Sequence, residues 1–213
     1  MNKEKLSIMN FSTRAVHAGY KPNEYGALAT PIYQTSTFIF DSAEQGGRRF
    51  ALEEEGYIYT RLGNPTSSQV EEKLASLENA EAAVSMASGM GAITSVIWTM
   101  VSAGDHIIAA KTLYGCTFAY MNHGLTRFGV EIDFVDTSDP ENVRKAMKAN
   151  TKIVYLESPA NPNMLLSDIE EISKIAHINE DCIVMVDNTY CTPYIQRPLD
   201  LGADVVVHSA TKY

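Results

Sequence analysis

Apolar runs and segments of helical period alternate along this chain from residue 63 onward. The runs DHIIAA, VEIDFVD, TKIVYLESP, CIVMVDNTY and ADVVVHSAT predict β-strands, and AAVSMAS predicts a further short one. Between them, GMGAITSVIWTMV, CTFAYMNHGLTRF, DPENVRKAMKA and LSDIEEISKIAHI predict helices. Because the strands are largely apolar and alternate with helices, we predict an α/β fold: a mostly parallel sheet with helices on both faces.

Polar residues at the starts of several helical segments are candidate N-caps. Thr66 or Ser67 is a candidate cap for a further helix whose apolar positions are Val70, Leu74 and Leu77. Ser138 or Asp139 is a candidate for DPENVRKAMKA, and Ser167 for LSDIEEISKIAHI.

The first 62 residues lack this regularity. Glycines and prolines interrupt them, as do the polar stretches EQGGRR and EEEG. We therefore predict that residues 1–62 form an arm and that residues 63–213 form the ligand-binding domain.

The composition fits a globular protein and excludes one class of partner. Of 213 residues, 45% are hydrophobic and 20% are charged. The net charge is -9 and the 17 Lys and Arg are scattered, which argues against nucleic acid. Three cysteines are too few for a disulfide framework, and no signal core or membrane-spanning run is found. We expect a cytoplasmic protein without a metal site.

Candidate chemistry concentrates where the predicted strands end, because ligands bind beyond the carboxyl ends of parallel strands. SGMGA places Gly89 and Gly91 between a strand and a helix, where free amides and the helix dipole attract phosphate. No Gly-Lys-Ser/Thr follows, which excludes a P-loop, and Thr94 stands where a dinucleotide fingerprint has its third glycine. The segment indicates a single-phosphate site or an ordinary tight turn.

An acid and a lysine end two other predicted strands. Asp187 either caps the next loop or pairs with a cation, since a buried carboxylate needs donors. Lys212 is either solvated or desolvated enough to form a Schiff base, and the hydroxyls of Ser209 and Thr211 flank it. A phosphate cradle, an acid for a ring nitrogen and a lysine for an aldehyde together match pyridoxal 5'-phosphate (PLP).

Five motifs in the order found here resemble one enzyme family. SGMGAI, LYGCTF, ESPANP, VDNTY and SATKY are similar to the Cys/Met-metabolism branch of fold-type I PLP enzymes, and the resemblance extends from ATPIYQTSTF onward. It implies a PLP-dependent transferase-like fold with the large domain of the aspartate aminotransferase type. Family members continue past the matching lysine into a C-terminal domain that supplies an arginine for the substrate carboxylate. We therefore expect the chain to be truncated.

The resemblance also implies roles for single residues. Lys212 would bind the aldehyde of the cofactor and move protons, Asp187 would pair with the ring nitrogen, and Tyr114 would stack on the ring and act as acid or base. Asn161 would lie near the ring oxygen and the substrate carboxylate, with Glu157 in the same patch.

The phosphate would be held by groups from two subunits. The resemblance implies the amides of Gly89 and Met90 and the hydroxyls of Ser209 and Thr211, with Tyr59 and Arg61 reaching in from a neighbouring copy. It therefore implies a homo-oligomer, at least a dimer and by expectation a tetramer.

Cys116 bears on the substrate. A cysteine after Tyr-Gly is similar to methionine γ-lyases, which implies α,γ-elimination of L-methionine to methanethiol, 2-oxobutyrate and ammonia, although a small buried thiol is also common. Alternatives are a cystathionine γ-lyase or γ-synthase, a non-catalytic fragment, and a nucleotide-binding domain that uses SGMGA.

Overall fold

The computed structural model describes residues 8–212, which fall into two compact units that divide between Ser85 and Met86. We predicted an arm over residues 1–62 and a binding domain over residues 63–213. That division concerns the functions of the two parts, and it stays a prediction. No helix in the described range is both long and apolar enough to cross a membrane.

Among residues 8–85, the first unit contains three helices: α1 (Phe11–His17), α2 (Ala43–Phe50) and α3 (Pro65–Glu78). Buried Arg14 joins two of them, because its guanidinium donates to the carbonyl of Ser76 near the end of α3. A single antiparallel bridge pairs Thr37 with Tyr59.

The second unit is built on a five-stranded sheet in which every pair of neighbours is parallel. The strands are β1 (His106–Ala110), β2 (Glu131–Val135), β3 (Thr151–Glu157), β4 (Ile183–Asp187) and β5 (Val205–Val207). Their spatial order is β2-β1-β3-β4-β5. The predicted parallel sheet is therefore confirmed.

In the described part of the second unit, one helix precedes β1 and four lie between successive strands. They are α4 (Gly89–Met100), α5 (Gly115–Ala119), α6 (Pro140–Ala146), α7 (Ile169–Ala176) and α8 (Thr192–Ile195). A π-helical turn (Tyr120–Gly124) and a 3-10 turn (Leu125–Phe128) extend α5, and a second 3-10 turn (Pro198–Leu201) precedes β5.

Two apolar cores lie on opposite faces of this sheet. Successive residues of a strand point to opposite faces, so Tyr155 belongs to the core that contains Ile97 of α4, whereas Val154 belongs to the core that contains Ile172 of α7. Helices therefore cover both faces, as the apolar character of the strands predicted.

Two predicted caps are wrong. Asn64 caps α3 by accepting from the amide of Thr66 at 2.9 Å. Pro65 occupies the first helical position, so the cap lies before it, two residues earlier than Thr66. Asp168 caps α7 by accepting from the amide of Glu171, while Ser167 shares a hydrogen bond with Thr137. Asp139 caps α6, which confirms one of the two candidates there.

The strand predicted from AAVSMAS does not form in the described chain. Residues 82–86 are irregular, and no strand pairs with them. A short apolar run becomes a strand only where a neighbour supplies hydrogen bonds, which a periodicity cannot reveal.

His106 is a buried titratable group far from the carboxyl ends of the strands, since it is the first residue of β1. Its Nδ1 lies 2.9 Å from Thr151 Oγ1, and its Nε2 lies 3.2 Å from Asp133 Oδ2. Burial lowers the pKa of this imidazole, and the nearby ammonium of Lys148 lowers it further. The folded chain thus favours neutral His106.

We predict that this histidine contributes to acid sensitivity. The unfolded chain binds a proton near pH 6.5 and the folded chain only at lower pH, so the free energy of unfolding should fall as the pH drops below about 6.5. His106→Gln should flatten this fall in chemical denaturation measured at several pH values. Ile108→Val in the same strand should instead cost about 1 kcal/mol at every pH. An unchanged pH slope in His106→Gln would contradict the prediction.

Candidate functional site

A cavity of about 620 Å³ opens at the carboxyl edge of the sheet. It lies entirely within the second unit, and segments that follow β3, β4 and β5 surround it together with the starts of α4 and α5. Its walls are formed by Ser88, Gly89, Met90, Ile93, Tyr114, Glu157, Asn161, Asp187, Thr189, Tyr190, Val207, His208, Ser209, Thr211 and Lys212. Most of the residues predicted from the strand ends therefore lie in one place.

The N-terminus of α4 offers free donors to this cavity. Ser88 caps the helix by accepting from the amide of Gly91 at 2.9 Å. The amides of Gly89 and Met90 make no hydrogen bond with any described residue, as expected for the first turn of a helix. With the dipole of a 12-residue helix behind them, these donors favour an anion.

Gly89 allows a second polar segment to approach this helix start. A Cβ added at Gly89 would lie 3.0 Å from the Cβ and 3.2 Å from the Oγ of Ser209. Glycine at this position thus brings the Ser209 hydroxyl beside the free amides. Thr211 lines the same cavity.

Two carboxylates stand side by side at the edge of the sheet, because Glu157 and Asp187 form the last register pair of β3 and β4. Glu157 is only 7% exposed and accepts from the amides of Tyr114 at 2.7 Å and Asn161 at 3.3 Å. Burial raises the pKa of Glu157, and the neighbouring charge of Asp187 raises it further. The hydrogen bonds from the backbone amides of Tyr114 and Asn161 lower this pKa and so act in the opposite direction. Because two acids lie side by side, this part of the cavity favours the binding of a positively charged group.

Asp187 also links two loops. One of its oxygens, Oδ1, accepts from the amide of Thr189 at 3.0 Å, and Thr189 Oγ1 accepts from the amide of Ser209 at 2.8 Å. The loop after β4 is thereby tied to the loop after β5. The Ser209 carbonyl in turn accepts from the amide of Lys212 at 3.1 Å, which folds the lysine segment back toward the cavity.

Tyr114 of the cavity wall contacts the exposed residue Cys116. The thiol of Cys116 lies 3.4 Å from the hydroxyl of Tyr114, and this contact raises the pKa of Tyr114. Tyr114 lines the cavity, whereas Cys116 does not.

Tyr59 and Arg61 belong to the first unit, where the guanidinium of Arg61 lies 5.3 Å from the centre of the Tyr59 ring. Their expected place beside a phosphate stays a prediction.

Several wall residues were not predicted as site residues. Ser88, Thr189, Tyr190 and His208 line the cavity. Ser88 could have been found as the polar residue before a Gly-rich helix start, but the Thr189 contact depends on how two distant loops meet.

The fold and this cavity together define a class of protein. A parallel sheet carries at its carboxyl edge a helix start with free amides, two hydroxyls, an acid and a lysine, and this donor set fits the phosphate, ring nitrogen and aldehyde of PLP. That is the arrangement of a PLP-dependent enzyme of fold type I.

The chain belongs to the family of Cys/Met metabolism PLP-dependent enzymes, which it matches over residues 12–213. It is 72% identical over its whole length to an L-methionine gamma-lyase of Treponema denticola and 68% identical to one of Porphyromonas gingivalis. The solved structure of a Campylobacter jejuni protein that contains a pyridoxyl-lysine monophosphate superposes with a TM-score of 0.91 at 36% identity, covering 96% of this chain. The predicted family, fold class and cofactor are confirmed.

The chain spans about half the length of these relatives. It covers 53% of each of the two methionine lyases and 50% of the Campylobacter jejuni chain.

We predict that Gly89→Ala weakens PLP binding. The added methyl group would push on Ser209, and overpacking of this size costs about 1–3 kcal/mol, or roughly tenfold in the dissociation constant. Equilibrium dialysis with PLP measures it. Gly47→Ala is the matched control, because a Cβ there meets nothing within 4 Å, and it should bind as the unchanged chain does. Equal affinity of Gly89→Ala and Gly47→Ala would refute the close approach as a determinant of binding.

Proposed function

We propose that this chain forms the PLP-binding part of a carbon–sulfur lyase that acts on L-methionine. The products would be methanethiol, 2-oxobutyrate and ammonia, with water as co-reactant. The observation that carries the proposal is the convergence of free helix amides, paired acids and a lysine in one cavity.

Each part of the cofactor has a matching group in the cavity. The amides of Gly89 and Met90 and the hydroxyls of Ser209 and Thr211 would hold the phosphate. Asp187 would pair with the ring nitrogen, and Lys212 would bind the aldehyde. When bound, PLP supplies an electron sink for the carbanion formed at the α-carbon of the substrate.

Two side chains of this site would move protons. Lys212 Nζ would take the proton from the α-carbon of methionine and return protons later in the reaction. Tyr114 Oη would protonate the departing sulfur. A phenol is protonated at neutral pH and can therefore donate this proton, and the contact with Cys116 raises the pKa of Tyr114 further. Cys116, in contact with that hydroxyl, would tune and orient the acid.

Two further polar residues of the cavity wall would orient the substrate. The backbone amide of Asn161 donates a hydrogen bond to Glu157, which fixes the position of this residue. The Asn161 side chain would therefore lie near the substrate carboxylate and the ring oxygen. Glu157 would fix the start of α5 through the amide of Tyr114.

Methionine is favoured over cystathionine by similarity. The relatives at 72% and 68% identity are both named L-methionine gamma-lyase, and the cysteine expected for that activity is present as Cys116. The proposal includes a cytoplasmic homo-oligomer of at least two and by expectation four copies, in which Tyr59 and Arg61 reach the phosphate of a neighbouring copy.

We expect the purified chain to bind PLP through Lys212. Added PLP should give a yellow absorption band that borohydride removes, and peptide mass spectrometry should then find the pyridoxyl group on Lys212. Lys212→Ala should show neither signal. Lys111→Ala is the matched control, since Lys111 follows β1 at the same edge of the sheet and should keep both.

Assays of 2-oxobutyrate release from methionine and from cystathionine would then separate the candidate substrates. Faster release from cystathionine would overturn the choice of methionine, and a pyridoxyl group found on another lysine would overturn the assignment of Lys212.

A further inference from the structure

Tyr155 lies one layer beneath the floor of the cavity. It sits in β3 two residues before Glu157, so both side chains point to the same face of the sheet. In the neighbouring strand Met185 is opposite Tyr155, and Asp187 is opposite Glu157. The phenol ring is fully buried in the core on that face. Tyr155 therefore stands directly below the carboxylate pair.

The hydroxyl of Tyr155 has no hydrogen bond of standard geometry among the described residues. Buried hydroxyls are normally paired, so such a group calls for an explanation. Burial raises the pKa of Tyr155 well above its usual value, and the charges of Asp187 and Glu157 raise it further. The hydroxyl is thus a permanently protonated donor close to two carboxylates.

Asp187 has room for such a donor. Its Oδ1 accepts from the amide of Thr189, while its other oxygen accepts from no described donor of standard geometry. The titratable groups that face Asp187 across the cavity and beneath it come from several elements: Glu157 and Tyr155 of β3, Tyr114 before α5, Tyr190 after β4, and His208 and Lys212 after β5.

We propose that Tyr155 is a positioning residue whose hydroxyl donates to Asp187 and holds it as a carboxylate beside Glu157. The inference rests on the proposed function, in which Asp187 pairs with the ring nitrogen of PLP. A hydrogen bond to the charged form of an acid lowers its pKa, whereas a second carboxylate alongside raises it. A hydrogen bond from Tyr155 would therefore stabilise the charged form of Asp187 against the repulsion from Glu157.

Tyr155→Phe tests this role, and it should fold, because it removes one hydroxyl and keeps the buried ring that packs in the core. The dissociation constant of PLP is measured by equilibrium dialysis from about pH 5 to about pH 9. We expect the loss of affinity at acid pH to begin about one pH unit higher in Tyr155→Phe, with roughly tenfold weaker binding on the acid limb. Affinity near neutral pH should change little.

Tyr120→Phe is the matched control. Its hydroxyl is also buried and makes no hydrogen bond of standard geometry with a described residue. Its ring packs against the same core, but it belongs to the turn after α5 rather than to β3. Its pH profile should superpose on that of the unchanged chain. Tyr155→Met, which keeps a large apolar side chain, gives the same comparison if phenylalanine is not accepted.

The outcomes are distinct. Superposable acid limbs in Tyr155→Phe and the unchanged chain would show that the hydroxyl does not act on Asp187, and would overturn the inference. If the unchanged chain binds no PLP at any pH, the proposed function fails, and the inference fails with it. A shift in both tyrosine variants would indicate a general effect of core packing and would also overturn it.

Discussion

The parallel register of β3 and β4 is the constraint on which this site depends. It ends with Glu157 directly opposite Asp187, so two acids meet at the carboxyl edge of the sheet. Like charges on adjacent residues of neighbouring strands are unfavourable unless hydrogen bonds from amides, protonation or a nearby cation compensate them. The structure supplies two amides to Glu157 and one to Asp187, and it places Lys212 on the same wall. A ligand with a protonated ring nitrogen would balance the remaining negative charge of the two acids.

Much of the architecture could be predicted because it follows from local pattern. Buried parallel strands are apolar runs, and the runs that became β1 to β5 are visible without any alignment. The site followed from topology, since the carboxyl ends of parallel strands share one edge, and this brought Gly89, Asp187 and Lys212 together. Thus residues at strand ends were predictable even where their partners were not.

What escaped prediction depends on contacts between segments that are distant in the sequence. The periodicity of AAVSMAS could not show that no strand would pair with it. The N-cap of α3 was predicted at the wrong residue. Pro65 is the first residue of the helix, so Asn64 before it is the cap. Tyr155 looked like any aromatic residue of a buried strand, and only the register shows which carboxylate lies above it.

The contact between Gly89 and Ser209 has a consequence for how this site can change over generations. The two positions share one small volume, so a larger residue at one is tolerated only if the other shrinks or its loop retreats. Thr189 holds that loop by its backbone and limits any retreat. In related sequences, positions 89 and 209 should therefore either both be unchanged or both differ. A joint change at the two positions would indicate a protein that no longer binds a phosphate there.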